Sequence, residues 1–470
     1  MYPRCLAPSF LRKVFVYGLV SILVFTNLFL IDSSAQNAAA EDQAIDSLVT
    51  THFYKLNKSI LEIPGGATFI TKSLDGKSLF TLGILQADNF KTSQNAVYPL
   101  SQLYSENLQI NSLKELDLRK FALSGSRILD FEFIGDNKFE FNAIVSLSRN
   151  HGGGFFLCRD MIVLGIKIST DPNVEHKIVR KIFETGCVPS NIQAPGVLWN
   201  VLEQSGGALG YRKVSSGQGA PNLELYVTIG DFKLLSQNRH LLNQKGINSG
   251  QVLGSIIKIK VSESKLNSSN IELPTLSASV ISAYCARGIR NSQGLSFIQD
   301  NGKNLIAATS HGPRGGDTLM FFDCSKTIDY GWPNFSLGTS YSGKTTDLGN
   351  NVRDEGTVAS TGIPNWTWAP SIGPSSIIQI SGKGKFSKWW TNSKNKTQDL
   401  LVSGMAAKKL IRLRSYQGKV IGIEDIAIGE RCRSLIEMTS GSLICGLDSN
   451  KILVLKYNSE WNSSNGGFSS

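Results

Sequence analysis

The chain has 470 residues, of which 41% are apolar and 18% charged, so it carries enough apolar material for a sizeable core and is not a disordered chain. Its 45 glycines against only 14 prolines suit a fold of many tight turns and exclude a low-complexity linker. The net charge of +11 is spread thinly, with no dense Lys/Arg run and no nucleic-acid motif, which points to a solvated surface and away from nucleic-acid binding.

Arg12 and Lys13 precede an apolar run over 14–31, followed by Ser33, Ser34 and Ala35. Small residues thus stand at −3 and −1 of a cut after Ala35, the layout of a secretory signal. The run is also just long enough to cross a bilayer, so an uncleaved N-terminal membrane anchor stays open. Either reading exports the body to the periplasm or the extracellular space. The expected division is 1–35 as signal or anchor and 36–470 as one folded body. Cys5 belongs to the first segment. Cys158, Cys187, Cys285, Cys324, Cys432 and Cys445 remain, an even count that permits three disulfides in an exported chain. Cys432 and Cys445 flank one turn-and-strand unit and are the expected pair. No C-x-x-C occurs, which disfavours zinc knuckles and thioredoxin chemistry.

Helical periodicity is scarce, with short candidates at 113–121 and around 234–242. The HGGG run at 151–154 reads as a strand-connecting turn. Residues 223–229, 255–261 and 409–414 alternate or run apolar as strands, and 442–447 with 451–455 reads as a hairpin. So many short strands without a linker suit one closed all-β architecture. A β-propeller leaves only short, protected edges, and at ~65–70 residues per blade a six-bladed β-propeller is expected. There is no G-x-S-x-G elbow, no H-E-x-x-H and no phosphate-binding loop. The five histidines, His52, His151, His176, His240 and His311, are scattered, which argues against a multi-histidine metal site.

The informative stretch begins after residue 286. RGIRNSQGLSF at 287–297 is followed by SHGPRGGD at 310–317, YGWP at 330–333, WAPSIGPSS at 368–376 and ERCR at 430–433. In order and spacing these resemble the glucose/sorbosone dehydrogenase family, over about 195–455. The resemblance implies a six-bladed propeller with a pocket for pyrroloquinoline quinone (PQQ) at one end of its axis. It also implies a calcium ion (Ca2+) polarising the quinone, a histidine that takes the proton from the sugar C1 hydroxyl, and hydride transfer to the quinone. PQQ is a planar tricarboxylate, and guanidinium forks hold carboxylates bidentately. By the resemblance, Arg290, Asn291, Arg431 and Arg433 bind the cofactor, and the carbonyls of Gly312 and Pro313 hold the metal. Asp317 is a polar residue on the substrate side and Trp368 an aromatic at the sugar entrance. The residues alone leave plainer readings open: local ion pairs for the arginines, a simple turn for Gly312 and Pro313, a core position for Trp368.

The chain departs from the pattern at three places, one being that an upstream glutamine of the family has no counterpart at 124–129. The catalytic histidine falls on Gln204, whose amide cannot act as a general base. Glu203 is adjacent and carries a carboxylate that could serve instead. The cofactor-binding lysine falls on Ala406, with Lys408 and Lys409 nearby. Two functions therefore stand side by side. One is an exported quinoprotein-type dehydrogenase that oxidises an aldose, a small-molecule sugar substrate, at C1 and passes electrons to an unidentified acceptor. The other is a catalytically degenerate propeller that binds a carbohydrate, another ligand or a protein partner.

Overall fold

The computed structural model describes residues 47–50, 55–63, 66–72, 74–75, 78–82, 97–99, 109–112, 127–135, 141–151, 158–168, 177–186, 188–189, 204–214, 222–232, 252–261, 281–333, 335–339, 362–381 and 397–458. The 1–35 segment, Glu203 and both helix candidates lie outside them. The described residues belong to one unit, 44–470.

Strands β1 (Ser47–Thr50) and β2 (Lys55–Glu62) come first but do not form the first sheet. That sheet is β3 (Phe69–Lys72), β4 (Ser78–Leu82), β5 (Val97–Pro99) and β6 (Gln109–Ser112). The next holds β7 (Arg127–Phe133), β8 (Ala143–His151), β9 (Cys158–Lys167), β10 (Lys177–Glu184) and the short β11 (Val188–Pro189). The third is β12 (Gly206–Val214), β13 (Asn222–Ile229), β14 (Ser255–Val261) and β15 (Ile281–Arg287). The fourth begins with β16 (Asn291–Asp300), β17 (Lys303–His311) and β18 (Asp317–Phe322). Then β19 (Ile328–Asp329) returns to the edge of β15, and β20 (Trp366–Trp368) completes the fourth sheet. The fifth is β21 (Pro374–Gln379), β22 (Gln398–Gly404), β23 (Lys409–Tyr416) and β24 (Lys419–Ala427). Finally β25 (Cys432–Glu437), β26 (Leu443–Leu447) and β27 (Lys451–Tyr457) pair with β2 and β1.

Five of these sheets are built on a four-stranded antiparallel meander. The sheet of β3–β6 is mixed, with β4 and β6 parallel. The first strands adjoin in a ring: β3 lies beside β7, then β12, β16, β21 and β25, which returns to β3. Apolar cores fill the gaps between successive sheets, for example Phe131, Val145 and Phe80 in one gap and Leu401, Leu435 and Leu453 in another. The fold is an all-β propeller. The expectation of six blades is corrected to five regular ones: the sheet of β3–β6 is not a regular blade, because parallel pairing of β4 with β6 breaks the meander there.

Burial on both faces explains the sequence pattern. A strand between two neighbouring sheets has no wet side, so β26 is buried at all five positions and reads as a continuous apolar run. Strand β24 is the outer strand of its sheet, and its exposed and covered positions alternate instead. Cys432 is bonded to Cys445, as the sequence suggested, and Cys285 to Cys324.

Candidate functional site

A cavity of about 1140 Å³ runs along the ring, walled mainly by the first strand of each sheet. Gln204, Arg290, Asn291, Gly312, Pro313, Asp317, Arg431 and Arg433 all contribute to its wall. Sequence positions spread over some 230 residues thus converge.

Arg431 and Arg433 are brought together by strand alternation, which puts residues i and i+2 on one face. The intervening Cys432 points into the core and is 1% exposed. Both arginines reach Asp448: Arg431 Nε donates to Oδ2 at 2.9 Å and Arg433 Nε to Oδ1 at 2.9 Å. One carboxylate therefore serves two guanidiniums. Burial raises the pKa of Asp448, and the guanidiniums of Arg433 and Arg431 outweigh it, so the net shift is downward. Arg433 is held below the usual arginine range, first by burial and then, against Asp448, by the like charges of Arg127 and Arg431. Arg127 and Arg290 are on the same wall. This end of the cavity has more cations than anions and suits a ligand with several negative charges.

Arg290 sits at the turn into β16. Its Nη1 donates to the carbonyl of Gly312 at 2.8 Å, and its guanidinium lies 5.6 Å from the Trp332 ring centroid. The Gln204 amide, assigned the orientation that satisfies both neighbours, accepts through its oxygen from the other arm of Arg290, Nη2, and donates through its nitrogen to Asp231 Oδ1 at 2.6 Å. Trp332 Nε1 donates to the other oxygen of Asp231 at 2.8 Å. Gln204 is 9% exposed and adopts a left-handed φ of 65°. The carbonyl of Gln204 packs so close to Gly230 that a Cβ there would lie 1.8 Å from its oxygen. Asn291 faces the other way: its Oδ1 accepts from the backbone N–H of Gly206 at 2.9 Å, tying β16 to β12.

The loop 312–316 curls tightly, and a Cβ on Gly312 would meet the Gly316 carbonyl at 1.9 Å. Asp317 fastens this loop. Its Oδ1 accepts from Gly312 N at 3.0 Å, and its Oδ2 accepts from Ile372 N and Gly373 N at 2.8 Å each. The carboxylate is thus committed to three backbone amides. His311 Nε2 donates to Pro374 O at 2.7 Å, and burial holds its pKa down despite Asp317, with Arg290 and Arg433 adding to the effect.

Two expectations need correction. Trp368 does not line the cavity. It lies on the outermost strand of its sheet, 6% exposed, among Leu319, Ile372 and Val402. The carbonyls of Gly312 and Pro313 do face the site, but both are engaged. Arg290 takes the first; Gly316 N at 3.0 Å and Ser371 Oγ at 3.3 Å take the second. Among the described residues no group of three acidic, histidine or cysteine side chains could hold a metal ion. As arranged, these donors do not fit calcium. Sequence reasoning also missed Asp448, Asp231 and Gln293 as wall-ordering partners. Asp448 reads as a turn residue and Asp231 as a strand end, and nothing local marks either one.

Residues 184–455 match the sequence profile described as glucose / sorbosone dehydrogenase, more than half of the chain. The chain belongs to the glucose/sorbosone dehydrogenase family. The match takes in every described residue of the site apart from those contributed by β3 and β7. Among solved structures, the soluble aldose sugar dehydrogenase of Escherichia coli is similar at 17% identity and a TM-score of 0.53, covering 86% of this chain and 100% of that one. A glucose dehydrogenase is 22% identical over 71% of this chain and 83% of its own, with a TM-score of 0.49. A PQQ-bound aldose sugar dehydrogenase from Streptomyces coelicolor is 15% identical over 85% and 98%, with a TM-score of 0.44. No match was found among curated proteins. Likeness at these identities is likeness of fold.

Proposed function

We propose that the chain is an exported quinone-binding propeller of the sugar dehydrogenase type. In it PQQ occupies the arginine-rich end of the cavity. The observation that carries this reading is the convergence of Arg290, Arg431 and Arg433 on one cavity, with Arg431 and Arg433 sharing one carboxylate, Asp448. Two guanidiniums sharing one carboxylate leave donors for the carboxylates of a flat polyanion, and Trp332 offers an indole face beside Arg290. When bound, PQQ supplies a two-electron acceptor for the C1 hydride of an aldose. The chain's own residues orient it: Arg431 and Arg433 from β25, Arg290 from the turn into β16. Asn291 holds β12 against β16 through its Oδ1 and so sets the site's shape, while its NH2 is its remaining group for the cofactor. The apolar neighbours Met405 and Ala406 stand where a lysine would contact the cofactor, so that wall contributes packing only.

The proton of the sugar hydroxyl needs an acceptor. Gln204 is not one, and its amide is spent on Asp231 and Arg290. Glu203, its neighbour, is the carboxylate we assign to the task if turnover occurs. Ligand binding without turnover is the alternative that the assay must separate from this reading. Purified protein is tested by thermal shift with PQQ, where a ligand at a hundred times its dissociation constant stabilises by about 2.7 kcal/mol. Aldose oxidation is then followed with an artificial acceptor. No PQQ binding ends the quinone reading; binding without oxidation establishes the non-catalytic one.

A further inference from the structure

We propose that Arg290 stands in this chain where a divalent cation would sit, so that the site takes a polycarboxylate anion without calcium. This rests on the quinone-site reading for its choice of probe. A calcium ion needs direct contact with carbonyl oxygens at about 2.3–2.6 Å and six to eight oxygens in all. At the Gly312–Pro313 carbonyl pair, which the resemblance assigns to the metal, the guanidinium of Arg290 already donates to Gly312 O at 2.8 Å. A second cation on that oxygen would lie within a few ångströms of the first, and their repulsion would be only partly screened in this half-buried wall. The other carbonyl, Pro313 O, is held by Gly316 N and Ser371 Oγ. Asp317, which bonds the same loop, has three of its acceptor sites on backbone amides, one on Oδ1 and two on Oδ2.

Arg290 is fixed there from three sides. The Gln204 oxygen accepts from Nη2, and the same amide is anchored through its nitrogen to Asp231. Asp231 is itself anchored by Trp332 Nε1, and its backbone N–H donates to the carbonyl of Arg290 at 2.8 Å. The amide at 204 offers an acceptor to Arg290 and a donor to Asp231 on one uncharged group. The substitution that removes a base therefore has a positive function: it positions a permanent cation. With Arg431 and Arg433 across the cavity, the charge that an anionic ligand needs is supplied by the chain.

The test is binding. PQQ is titrated by quenching of tryptophan fluorescence into the parent and into Arg290→Ala, in excess EDTA and in excess calcium chloride. The parent should bind equally in both, within about twofold, whereas Arg290→Ala in EDTA should bind roughly tenfold or more weakly and be rescued by calcium, which then reaches the freed Gly312 carbonyl. Parent binding that tightens about tenfold on adding calcium overturns the proposal, as does a variant that calcium cannot rescue. If Arg290→Ala does not fold, Arg290→Lys replaces it; weaker but still calcium-independent binding is expected, and a gained calcium requirement counts against the proposal. If the parent binds no PQQ in either buffer, the quinone reading fails, and terbium luminescence decides this one alone. Terbium emission sensitised by Trp332 should be absent in the parent and gained in Arg290→Ala. Emission from the parent that disappears in Trp332→Phe overturns it.

Discussion

Replacing Asp317 by asparagine separates a clasp from a sugar contact. The side chain is 2% exposed and accepts three backbone N–H bonds, one from the loop before β18 and two from the loop before β21. An amide has one acceptor oxygen. Turned toward Ile372 and Gly373, it keeps those two bonds in neutral form and sets its NH2 against the N–H of Gly312. Bonds to a charged group are worth about 1.5–3 kcal/mol each net, neutral ones about 1, and a buried unsatisfied donor costs about 1–3 kcal/mol. Losing one bond and weakening two therefore predicts a loss of about 3–4 kcal/mol in Asp317→Asn, with Asp317→Ala larger because all three go. Urea unfolding measures the total, and hydrogen exchange followed by mass spectrometry locates it, through lost protection of peptides covering 312 and 372–373. A loss below about 1 kcal/mol with unchanged exchange, together with a raised KM for an aldose, would refute the clasp and restore a substrate role.

Other perturbations follow from the same geometry. Arg433→Ala should weaken PQQ binding by roughly 10–100-fold and Arg431→Ala by only a few-fold, since the side chain of Arg433 is 15% exposed and that of Arg431 47%. Equal effects in calorimetric titration would show that burial does not rank them. Gln204→His should raise aldose turnover in PQQ-loaded protein, because an imidazole titrates near neutral pH. Strong parent turnover that survives Glu203→Gln would refute the assignment of Glu203. Burial pushes the pKa of Asp130, on the cavity wall, up to about 6 against the bonds it accepts from Leu209 N and Phe131 N. A carboxyl with a higher pKa folded than unfolded stabilises the fold while protonated and loses that contribution as pH rises. From 3.8 to about 6 the loss is at most about 3 kcal/mol. Asp130→Asn should flatten stability between pH 4 and 7, and an unaltered pH profile in urea unfolding would contradict it. Non-reducing peptide maps should find Cys432 joined to Cys445 and Cys285 to Cys324.

The strands were legible because burial on two faces makes long apolar runs, and β13, β14, β23 and the β26–β27 hairpin stand out in the sequence. The ring was legible through its motifs, since the wall residues at 290–291, 312–317 and 431–433 lie in unusual runs of arginine and glycine. Two kinds of information were hidden. The parallel pairing of β4 with β6 depends on contacts between segments that carry no distinctive pattern. The partners of the arginines were hidden too, because Asp448 is fifteen residues from Arg433 and Asp231 nearly sixty from Arg290, and only the ring brings them into reach. Trp368 misled for a related reason: a tryptophan beside the site in sequence lies on the outer strand of its sheet, where its ring completes a core.

Strand β2 sits beside β27, with Leu56 opposite Tyr457 and Glu62 opposite Lys451. One sheet is thus assembled from two stretches separated by nearly four hundred residues, and this sheet borders the ligand wall through β25. On the ribosome β2 emerges early with only β1 to pair with, and its other edge waits for β27, so its apolar residues Leu56 and Leu61 lack their final cover through most of synthesis. Shape and timing are coupled as a result. The arginines at 431 and 433 acquire a fixed position only when the last strand arrives to lock their sheet, and a nascent or trimmed chain without β27 would lack a competent anion site even with every site residue present. The slow contact is the long-range one. Ligand added during refolding should therefore act only after this closure, as a late brake on reopening.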